Sequence, residues 1–467
     1  MKSGPSVVII GGGISGLATA WWLHKAGVSV TVLERDQKLG GTMQTIRERG
    51  WLVETGPNSA LETTPLFKTL FDDLHLTDEV VYANSVGDNR YILRGGQLHA
   101  LPMTPLSFLK SKLWTIPGKL RLLKEPFVGR AEEEETIAQF VQRRLGREFL
   151  DYAINPFVAG VYAGNPEQLS VRAAFPKLFA LEEKYGGLIK GQIRGRKERK
   201  QRAEKAKDRA RMFAFKSGMQ IFPIALGEAL GTHVRINATV QRIKQVKQNP
   251  YPLYEVTGKR KGKPFRIEAN AVITAIPSYL AKNLIAPMDK TLATSLNNIY
   301  YPPVVEVFIG FRASDIGRAL NGFGFLVPAK ERRRILGTIW SSSLFPNRAP
   351  AGYVALTTFV GGSRQPEITE ESNEHLLIMV CEELNSIMGV QGVPTYHRIA
   401  RWKRAIPQYN LGHLSIVEQM EQFEQSHPGV FVSGNFRGGI SVGDCIINSE
   451  QTAQRVQIFL KHFQPND

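Results

Sequence analysis

The sequence predicts an α/β fold, α+β overall, in which a Rossmann-like dinucleotide-binding domain joins a β-rich substrate domain and a helical, membrane-associated domain. Three observations support this prediction. Residues 7–10 form a short apolar strand that runs into a glycine turn and a helix beginning at Ile14. Residues 81–211 have mainly helical spacing after one hairpin, whereas residues 291–404 contain apolar runs with strand spacing.

The glycine turn carries the chemistry of a dinucleotide site. Gly11 permits the tight turn, Gly13 lets the backbone approach a pyrophosphate, and Gly16 lets helix and strand pack closely. The helix N-terminus offers N–H groups and partial positive charge to phosphates. Glu34 ends the second strand, where an acid accepts hydrogen bonds from a ribose 2′-OH and argues against a 2′-phosphate.

The chain, at 467 residues, is too long for one core. We predict a discontinuous dinucleotide-binding domain made of residues 1–80, 212–290 and 405–467. Residues 81–211 form the helical domain and residues 291–404 the substrate domain. The expected elements are a hairpin at 90–98, strands at 28–33, 234–236, 239–243, 254–256, 271–275, 304–309, 354–359 and 429–433, and helices at 370–388 and 444–463.

The composition restricts the partners. The net charge of +17 favours nucleic acid, an anionic membrane surface or an acidic substrate. Residues 190–211 hold much of this charge; they read as a solvated segment or a membrane-surface patch, and nucleic acid is disfavoured because no aromatic residues interleave the charges. Cys381 and Cys445 are the only cysteines, which suits a reducing compartment. No metal-ligand cluster and no apolar run long enough to span a bilayer stands out.

A second glycine element extends the nucleotide motif. Gly40 and Gly41 follow the ribose acid, and residues 50–56 have the spacing G-x-x-x-E-x-G. This element resembles the flavoproteins of the amine oxidase and phytoene desaturase superfamily. The resemblance implies FAD rather than NAD. Cys445 does not stand in the Ser-Gly-Gly-Cys setting of covalent flavin sites, so noncovalent FAD is expected.

The middle of the chain resembles one family more closely. Residues 155–166, with Leu169, Ser170 and residues 173–176, are similar to protoporphyrinogen oxidases, as are residues 89–92 with 98–102 and residues 336–350. The resemblance implies FAD-dependent six-electron oxidation of protoporphyrinogen IX to protoporphyrin IX by O₂, with three H₂O₂ released, as the penultimate step of haem synthesis. Hydride transfer at flavin N5 carries the chemistry, so no protein catalytic residue is assigned.

Two alternative functions stay open at this stage. Similar proteins in some bacteria oxidise coproporphyrinogen III to coproporphyrin III, and one sequence does not settle how many anionic groups the pocket seats. A protein that carries flavin and tetrapyrrole without turnover is the alternative from a different class.

The resemblance also implies the site residues. Arg90 would pair with a substrate propionate, a role that suits the guanidinium fork. Leu326, Ile339 and Phe359 would hold the flat tetrapyrrole, and Gly160 would face the reacting centre. The residues implied to contact FAD are Gly11, Gly12, Gly13, Ile14, Ser15, Gly16, Glu34, Arg35, Gly41, Thr42, Gly56, Pro57, Asn58, Ser59, Val240, Trp402, Ile440, Ser441 and Val442.

The expected partners follow from the same resemblance. They are a tetrapyrrole, O₂ and a peripheral membrane surface, with no nucleic acid and no metal. The expected location is cytoplasmic, at the inner face of the membrane. A homodimer and hand-over of product to ferrochelatase or magnesium chelatase are compatible with the family.

Overall fold

The structure, a computed structural model, describes residues 5–195, 210–247 and 252–461. Most of the basic tract at 190–211 therefore lies outside the described residues. Among those that are described, no helix has both the length and the apolarity needed to cross a bilayer.

A five-stranded parallel sheet forms the nucleotide end of the molecule. Its strands, in spatial order, are Val234–Arg235, Ser29–Leu33, Ser6–Ile10, Ala271–Thr274 and Val430–Val432. The strands are apolar on both faces because both faces are covered. Helices Ile14–Lys25, Leu66–Asp73, Ile221–Leu230 and Val442–Lys461 cover one face; helices Ser278–Ile285, Lys290–Asn297 and His413–Ser426 lie on the other.

Three small sheets flank the parallel sheet. The largest is antiparallel and pairs Ala238–Lys247, Leu253–Arg260 and Lys263–Ala269. The others join Thr45–Glu48 to Trp51–Glu54, and Met212–Phe215 to both Ala60–Leu61 and Val80–Tyr82. The predicted strands at 239–243 and 254–256 are confirmed and extend further than the apolar pattern indicates.

A seven-stranded sheet forms the second half of the molecule. Its strands, in spatial order, are Tyr396–Trp402, Val304–Arg312, Tyr353–Gly361, Gly337–Ile339, Gly324–Leu326, Arg90–Arg94 and Gln97–Ala100. The predicted hairpin is confirmed: strands Arg90–Arg94 and Gln97–Ala100 pair antiparallel and are joined by a turn at Gly95 and Gly96, which both have positive φ. Helix Asn373–Met388 covers one face, where it packs on side chains from the middle strands. In the sequence, the short helix Ser341–Leu344 lies between strands Gly337–Ile339 and Tyr353–Gly361.

The helical part packs around a separate small core. Its helices are Pro105–Lys110, Ile116–Arg121, Ile137–Arg144, Arg147–Phe149, Asn155–Tyr162, Val171–Ala174, Pro176–Tyr185 and Leu188–Arg194. Arg144 lies in this core with a fully buried side chain, and its guanidinium pairs with Glu125 at 2.9 Å and with Glu182. Glu125 in turn accepts hydrogen bonds from the N–H groups of Leu188 and Ile189. The ion pairs therefore link the turn Leu122–Phe127 to two helices, and the hydrogen bonds link it to a third.

We expect Arg144→Met to lower the free energy of unfolding by about 3–5 kcal/mol, because it leaves the buried carboxylate of Glu125 without its counter-charge and leaves Glu182 with Arg143 alone. Denaturant unfolding, together with limited proteolysis of the helical part, measures the effect. Arg147→Met is the matched control: this arginine also pairs with an acid, Asp151, but its side chain is 63% exposed, so the loss is expected to stay below about 1 kcal/mol. Equal losses would contradict the importance of the buried pairs.

Candidate functional site

The glycine turn at the end of the first strand is fixed by backbone contacts. Gly11 has φ +117°, and a Cβ there would lie 2.6 Å from the carbonyl oxygen of Ala275. A Cβ on Gly16 would collide with the carbonyl oxygen of Gly11. Gly13 is different, because a Cβ would meet no protein atom within 4 Å. The open space in front of Gly13 is therefore room for a ligand and serves no packing purpose.

The helix that follows the turn has an open N-terminus. Helix Ile14–Lys25 begins after Gly13 with no side-chain cap and no acidic residue in its first turn. Its first N–H groups and its dipole are thus available to an anion. Helix Val442–Lys461 begins differently, since Ser441 and Asp444 hydrogen-bond each other there at 2.6 Å. Of these two helix N-termini, only the one at Ile14 is left uncapped by a side chain.

Glu34 lies beside the turn and serves it structurally. Its carboxylate accepts hydrogen bonds from the N–H of Gly12 at 2.6 Å and from the N–H of Asp36 at 2.8 Å. Its carbonyl oxygen accepts from Ala238, the first residue of the strand that holds Val240. Arg35 projects to solvent beside Asp36. Glu34, the predicted ribose contact, and the strand that holds Val240 are therefore brought to one end of the glycine turn.

The second glycine element continues from the first. Gly40 donates its N–H to the carbonyl of Gly12 at 2.8 Å, and a Cβ on Gly41 would lie 3.5 Å from the Cα of Gly13. Further on, a Cβ on Gly56 would collide with the carbonyl oxygen of Thr42. These contacts align the predicted cofactor residues from Glu34 through the glycine turn to residues 56–59. We call this line of residues the cofactor row.

Trp402 joins this row to the seven-stranded sheet. Its indole N–H donates to the carbonyl oxygen of Thr55 at 2.6 Å. Behind the row, Ser449 donates to the carbonyl oxygen of Ser15 at 2.9 Å, which packs the last helix on the first. Cys445 is buried there, and burial raises the pKa of its thiol to about 11, so the thiol stays protonated.

The predicted substrate residues share one face of the seven-stranded sheet. In register, Arg90 lies opposite Gly324, which lies opposite Ile339. Leu326 lies opposite Gly337, which lies opposite Phe359. Because directly paired residues point to the same face and i, i+2 residues repeat it, all four side chains are on that face. Trp402 is on the same face, through its pairing with Val304 and the pairing of Val304 with Gly361.

Gly160 and Arg90 differ in their exposure and in their contacts with this face. A Cβ on Gly160 would lie 2.5 Å from Leu326 Cδ2, so helix Asn155–Tyr162 approaches the sheet as closely as glycine allows. Arg90 is exposed, and its guanidinium lies 5.7 Å from the ring centroid of Phe323. It forms no ion pair with any acid in the described part of the chain.

Two features of the site are not predicted from the sequence. Glu306 is a buried acid on the substrate face, within the apolar strand Val304–Arg312, and its position inside that run is the only sequence signal for it. An exposed apolar surface lies on residues 103–127, where helical spacing of apolar residues is the signal. In the described ranges, no group of three metal-ligating side chains comes together.

Comparisons with known proteins agree with this geometry. The model of the flavin containing amine oxidoreductase family matches residues 14–457. Protoporphyrinogen oxidase 2 of Arabidopsis thaliana is 32% identical, covering 100% of this chain and 97% of its own. Coproporphyrinogen III oxidase of Bacillus subtilis is 26% identical, covering 94% and 95%.

The fold is similar to that of solved flavoproteins. A crystal structure from Exiguobacterium sp. 255-15, described provisionally as a protoporphyrinogen oxidase, superposes with a TM-score of 0.79 at 24% identity and covers 98% of this chain and 99% of its own. Cyclohexylamine oxidase from Brevibacterium oxydans has a TM-score of 0.68 at 16% identity, covering 98% and 100%. Both similarities concern the fold.

We expect Gly13→Ala to weaken FAD binding at least about tenfold, or ~1.4 kcal/mol, because its methyl group fills space that the protein leaves open for the phosphates. The apoprotein should keep its stability, since the methyl group meets no protein atom. Fluorescence titration of apoprotein with FAD gives the affinity. Gly129→Ala is the control, because a Cβ there also meets nothing and Gly129 lies in the helical part. Unchanged FAD affinity in Gly13→Ala would contradict the assignment of the cradle.

Proposed function

The chain belongs to the flavin-containing amine oxidoreductase family, and on that premise we propose a specific reaction for it. Within that family it belongs with the protoporphyrinogen oxidases, since a relative with 32% identity matches along its full length. It is an oxidoreductase, and its cofactor is FAD. The proposed reaction is the oxidation of protoporphyrinogen IX to protoporphyrin IX with O₂ as the acceptor.

The proposed reaction removes six electrons and six protons from the substrate. Three O₂ molecules take them up in pairs and leave as three H₂O₂. FAD supplies the two-electron redox chemistry when it is bound, and the protein orients the reactants and excludes water. This division of labour fits a site whose substrate face is mostly apolar.

The shared face of the seven-stranded sheet is the observation that carries this proposal. Leu326, Ile339 and Phe359 offer an apolar wall for a flat ring, and Gly160 lets helix Asn155–Tyr162 pack directly against Leu326 of that wall. Arg90 lies at the exposed edge of that wall, where its planar guanidinium can donate two parallel hydrogen bonds to the carboxylate of a propionate. The same face continues to Trp402, which contacts the cofactor row. An apolar ring with anionic side chains is the substrate class that suits this arrangement.

Coproporphyrinogen III is the second candidate substrate. The 26% identity with the Bacillus subtilis coproporphyrinogen III oxidase over 94% of this chain supports it. The two substrates differ at positions where one carries vinyl groups and the other propionates. Arg90 suits either of them.

Porphyrin fluorescence tests both substrates. Holoprotein is mixed anaerobically with protoporphyrinogen IX or with coproporphyrinogen III, and O₂ is then admitted. We expect faster formation of protoporphyrin IX, with H₂O₂ and porphyrin formed in a ratio of three to one. Faster turnover of coproporphyrinogen III would reverse the choice of substrate. No turnover of either would leave the carrier function.

We further propose peripheral attachment to the cytoplasmic face of a membrane through the exposed apolar surface. Helix Ile116–Arg121 and the following turn Leu122–Phe127 place four apolar residues of this surface at positions i, i+4, i+7 and i+11, counted from Ile116, which is the spacing of one helical face. Lys110, Lys112 and Lys124 lie among them, and cations favour anionic lipids. The apolar surface consists of Met103, Leu106, Leu109, Ile116, Leu120, Leu123 and Phe127, which are between 57% and 89% exposed. Homodimerisation and hand-over of product to ferrochelatase or magnesium chelatase remain predictions from the family resemblance.

We expect Arg90→Ala to raise the KM for the porphyrinogen about 10- to 100-fold, as for the loss of a charged hydrogen-bonded pair, while FAD content is unchanged. Arg90→Lys should recover part of the loss, because it keeps the charge but not the fork. Steady-state kinetics and flavin absorbance measure the two quantities. Arg312→Ala, at an exposed end of the same sheet, is the control. Loss of FAD from Arg90→Ala would make the residue structural.

We expect the triple variant Leu120→Ser, Leu123→Ser and Phe127→Ser to reduce binding to phosphatidylcholine–phosphatidylglycerol vesicles more than about 100-fold, because each buried apolar side chain contributes about 1.5–3 kcal/mol. Vesicle cosedimentation at low salt measures the partition. The control changes three exposed apolar residues elsewhere, Ile378, Val393 and Ile458, to serine. Equal partition of the two variants would refute attachment through this surface.

A further inference from the structure

The second strand of the seven-stranded sheet, Val304–Arg312, carries a single acidic residue in an apolar run that ends at Arg312. Glu306 is 3% exposed. Its neighbours in register are Phe359 on one side and Ala400 on the other, so its side chain lies on the substrate face. Burying a carboxyl group is costly unless it is hydrogen-bonded. Its position in the site therefore needs a specific reason.

The Glu306 carboxyl is hydrogen-bonded to the cofactor row. Asn58 donates its side-chain N–H to Glu306 Oε1 at 2.9 Å. The same amide nitrogen donates to the carbonyl oxygen of Gly56 at 3.1 Å. Asn58 thus connects the strand of the substrate sheet to residues 56–59, which are predicted to contact FAD.

The nearby charges do not neutralise Glu306. Glu54, on the neighbouring strand Trp51–Glu54, is also buried and accepts hydrogen bonds from the Thr45 hydroxyl at 2.6 Å and the Met219 N–H at 2.9 Å. Arg348 is 2% exposed, and its Nη1 lies 3.4 Å from Glu54 Oε1, so its positive charge is paired with Glu54. The charge of Arg47 also lowers the pKa of Glu54. The residues directly opposite Glu306, Phe359 and Ala400, are uncharged, and Arg398, which is on the same face two positions before Ala400, is exposed.

These surroundings favour the neutral acid. Burial raises the pKa of Glu306 to about 8; the Asn58 hydrogen bond opposes the rise, and the Glu54 carboxylate adds to it. The carboxyl therefore carries a proton at neutral pH and loses it in mildly alkaline solution. Ionisation places a negative charge between the cofactor row and the substrate wall.

We propose that Glu306 is a positioning residue that acts on bound FAD through Asn58: its neutral carboxyl fixes the amide, and its ionisation opposes reduction of the flavin. The inference rests on the proposed function in one respect, namely that FAD lies along residues 56–59. Added negative charge near a group that accepts electrons disfavours the reduced state. Alkaline pH should therefore slow the reductive step more than it weakens substrate binding.

The test compares wild-type holoprotein with Glu306→Gln, which keeps the size and the acceptor oxygen but does not ionise. From about pH 7 to about pH 9 we expect the equilibrium constant for two-electron flavin reduction to fall about tenfold more in the wild type, or about 30 mV. The absorbance spectrum of the oxidised flavin should titrate in the wild type only, with its midpoint near the pKa of Glu306. The kcat should show the same pH difference, with KM changing less than about twofold.

Glu383→Gln is the matched control. Glu383 is a buried glutamate as well, but it lies on the helix at the opposite face of the same sheet, where it pairs with Arg333 and Arg334. It should leave the flavin titration unchanged. Wild-type pH dependence in Glu306→Gln would overturn the proposal. Loss of FAD from Glu306→Gln alone would make Glu306 a structural support and would overturn it too.

Asn58→Ala tests the route through the amide. Because the proposed route from Glu306 to FAD passes through the Asn58 amide, Asn58→Ala should reduce the amplitude of the pH-dependent spectral change. The lost hydrogen bond should also move any remaining midpoint to higher pH. Unchanged amplitude and midpoint would rule out that route. The spectrum and the potential are recorded without porphyrinogen, so failure of this inference is distinguishable from failure of the proposed reaction, which the porphyrin assay measures alone.

Discussion

The register of the strand Val304–Arg312 is the constraint on which the site depends. Its neighbours place Glu306 opposite Phe359 and Ala400, and a slip of one residue would turn every one of its side chains to the other face. The opposite face is held by the core under helix Asn373–Met388, which contains Val305, Val307, Ile309 and Phe311. A slipped strand would bury the Glu306 carboxyl in that core without its Asn58 donor. Packing on one face thus determines the chemistry of the other.

The cofactor end depends on a different kind of contact. There the chain approaches itself backbone to backbone, at Gly16 with Gly11 and at Gly56 with Thr42, and no side chain larger than hydrogen fits. The Glu34 carboxylate also stabilises the glycine turn, because it accepts a hydrogen bond from the Gly12 N–H, besides any role toward a ribose. The nucleotide end is therefore specified by the absence of side chains, whereas the substrate end is specified by which side chains share a face. The Trp402 indole and the Asn58 amide join the two ends.

Local signals predict much of this arrangement, and long-range pairings account for the rest. The glycine turn and its acid lie within one strand–helix–strand unit, and Gly95 with Gly96 predicts the hairpin. Asn58 and Glu306 are separated by 248 positions, so only the folded sheet brings them together. The spacing of apolar residues at 116–127 would suit a buried helix face equally well. Exposure of that face is a property of the fold, because it depends on which neighbours the helix lacks.

The exposed apolar surface and the substrate face are connected through the interior. Leu113 and Trp114 lie between the two exposed helices of that surface but are buried themselves, in a cluster that includes Ile92 and extends to Leu326. Leu326 is the residue that Gly160 approaches. Apolar side chains therefore continue from the proposed membrane contact to the wall of the substrate site. The membrane contact that we propose and the substrate face therefore share one packed apolar cluster, and Arg90, two residues before Ile92 on the same strand, lies exposed at its rim.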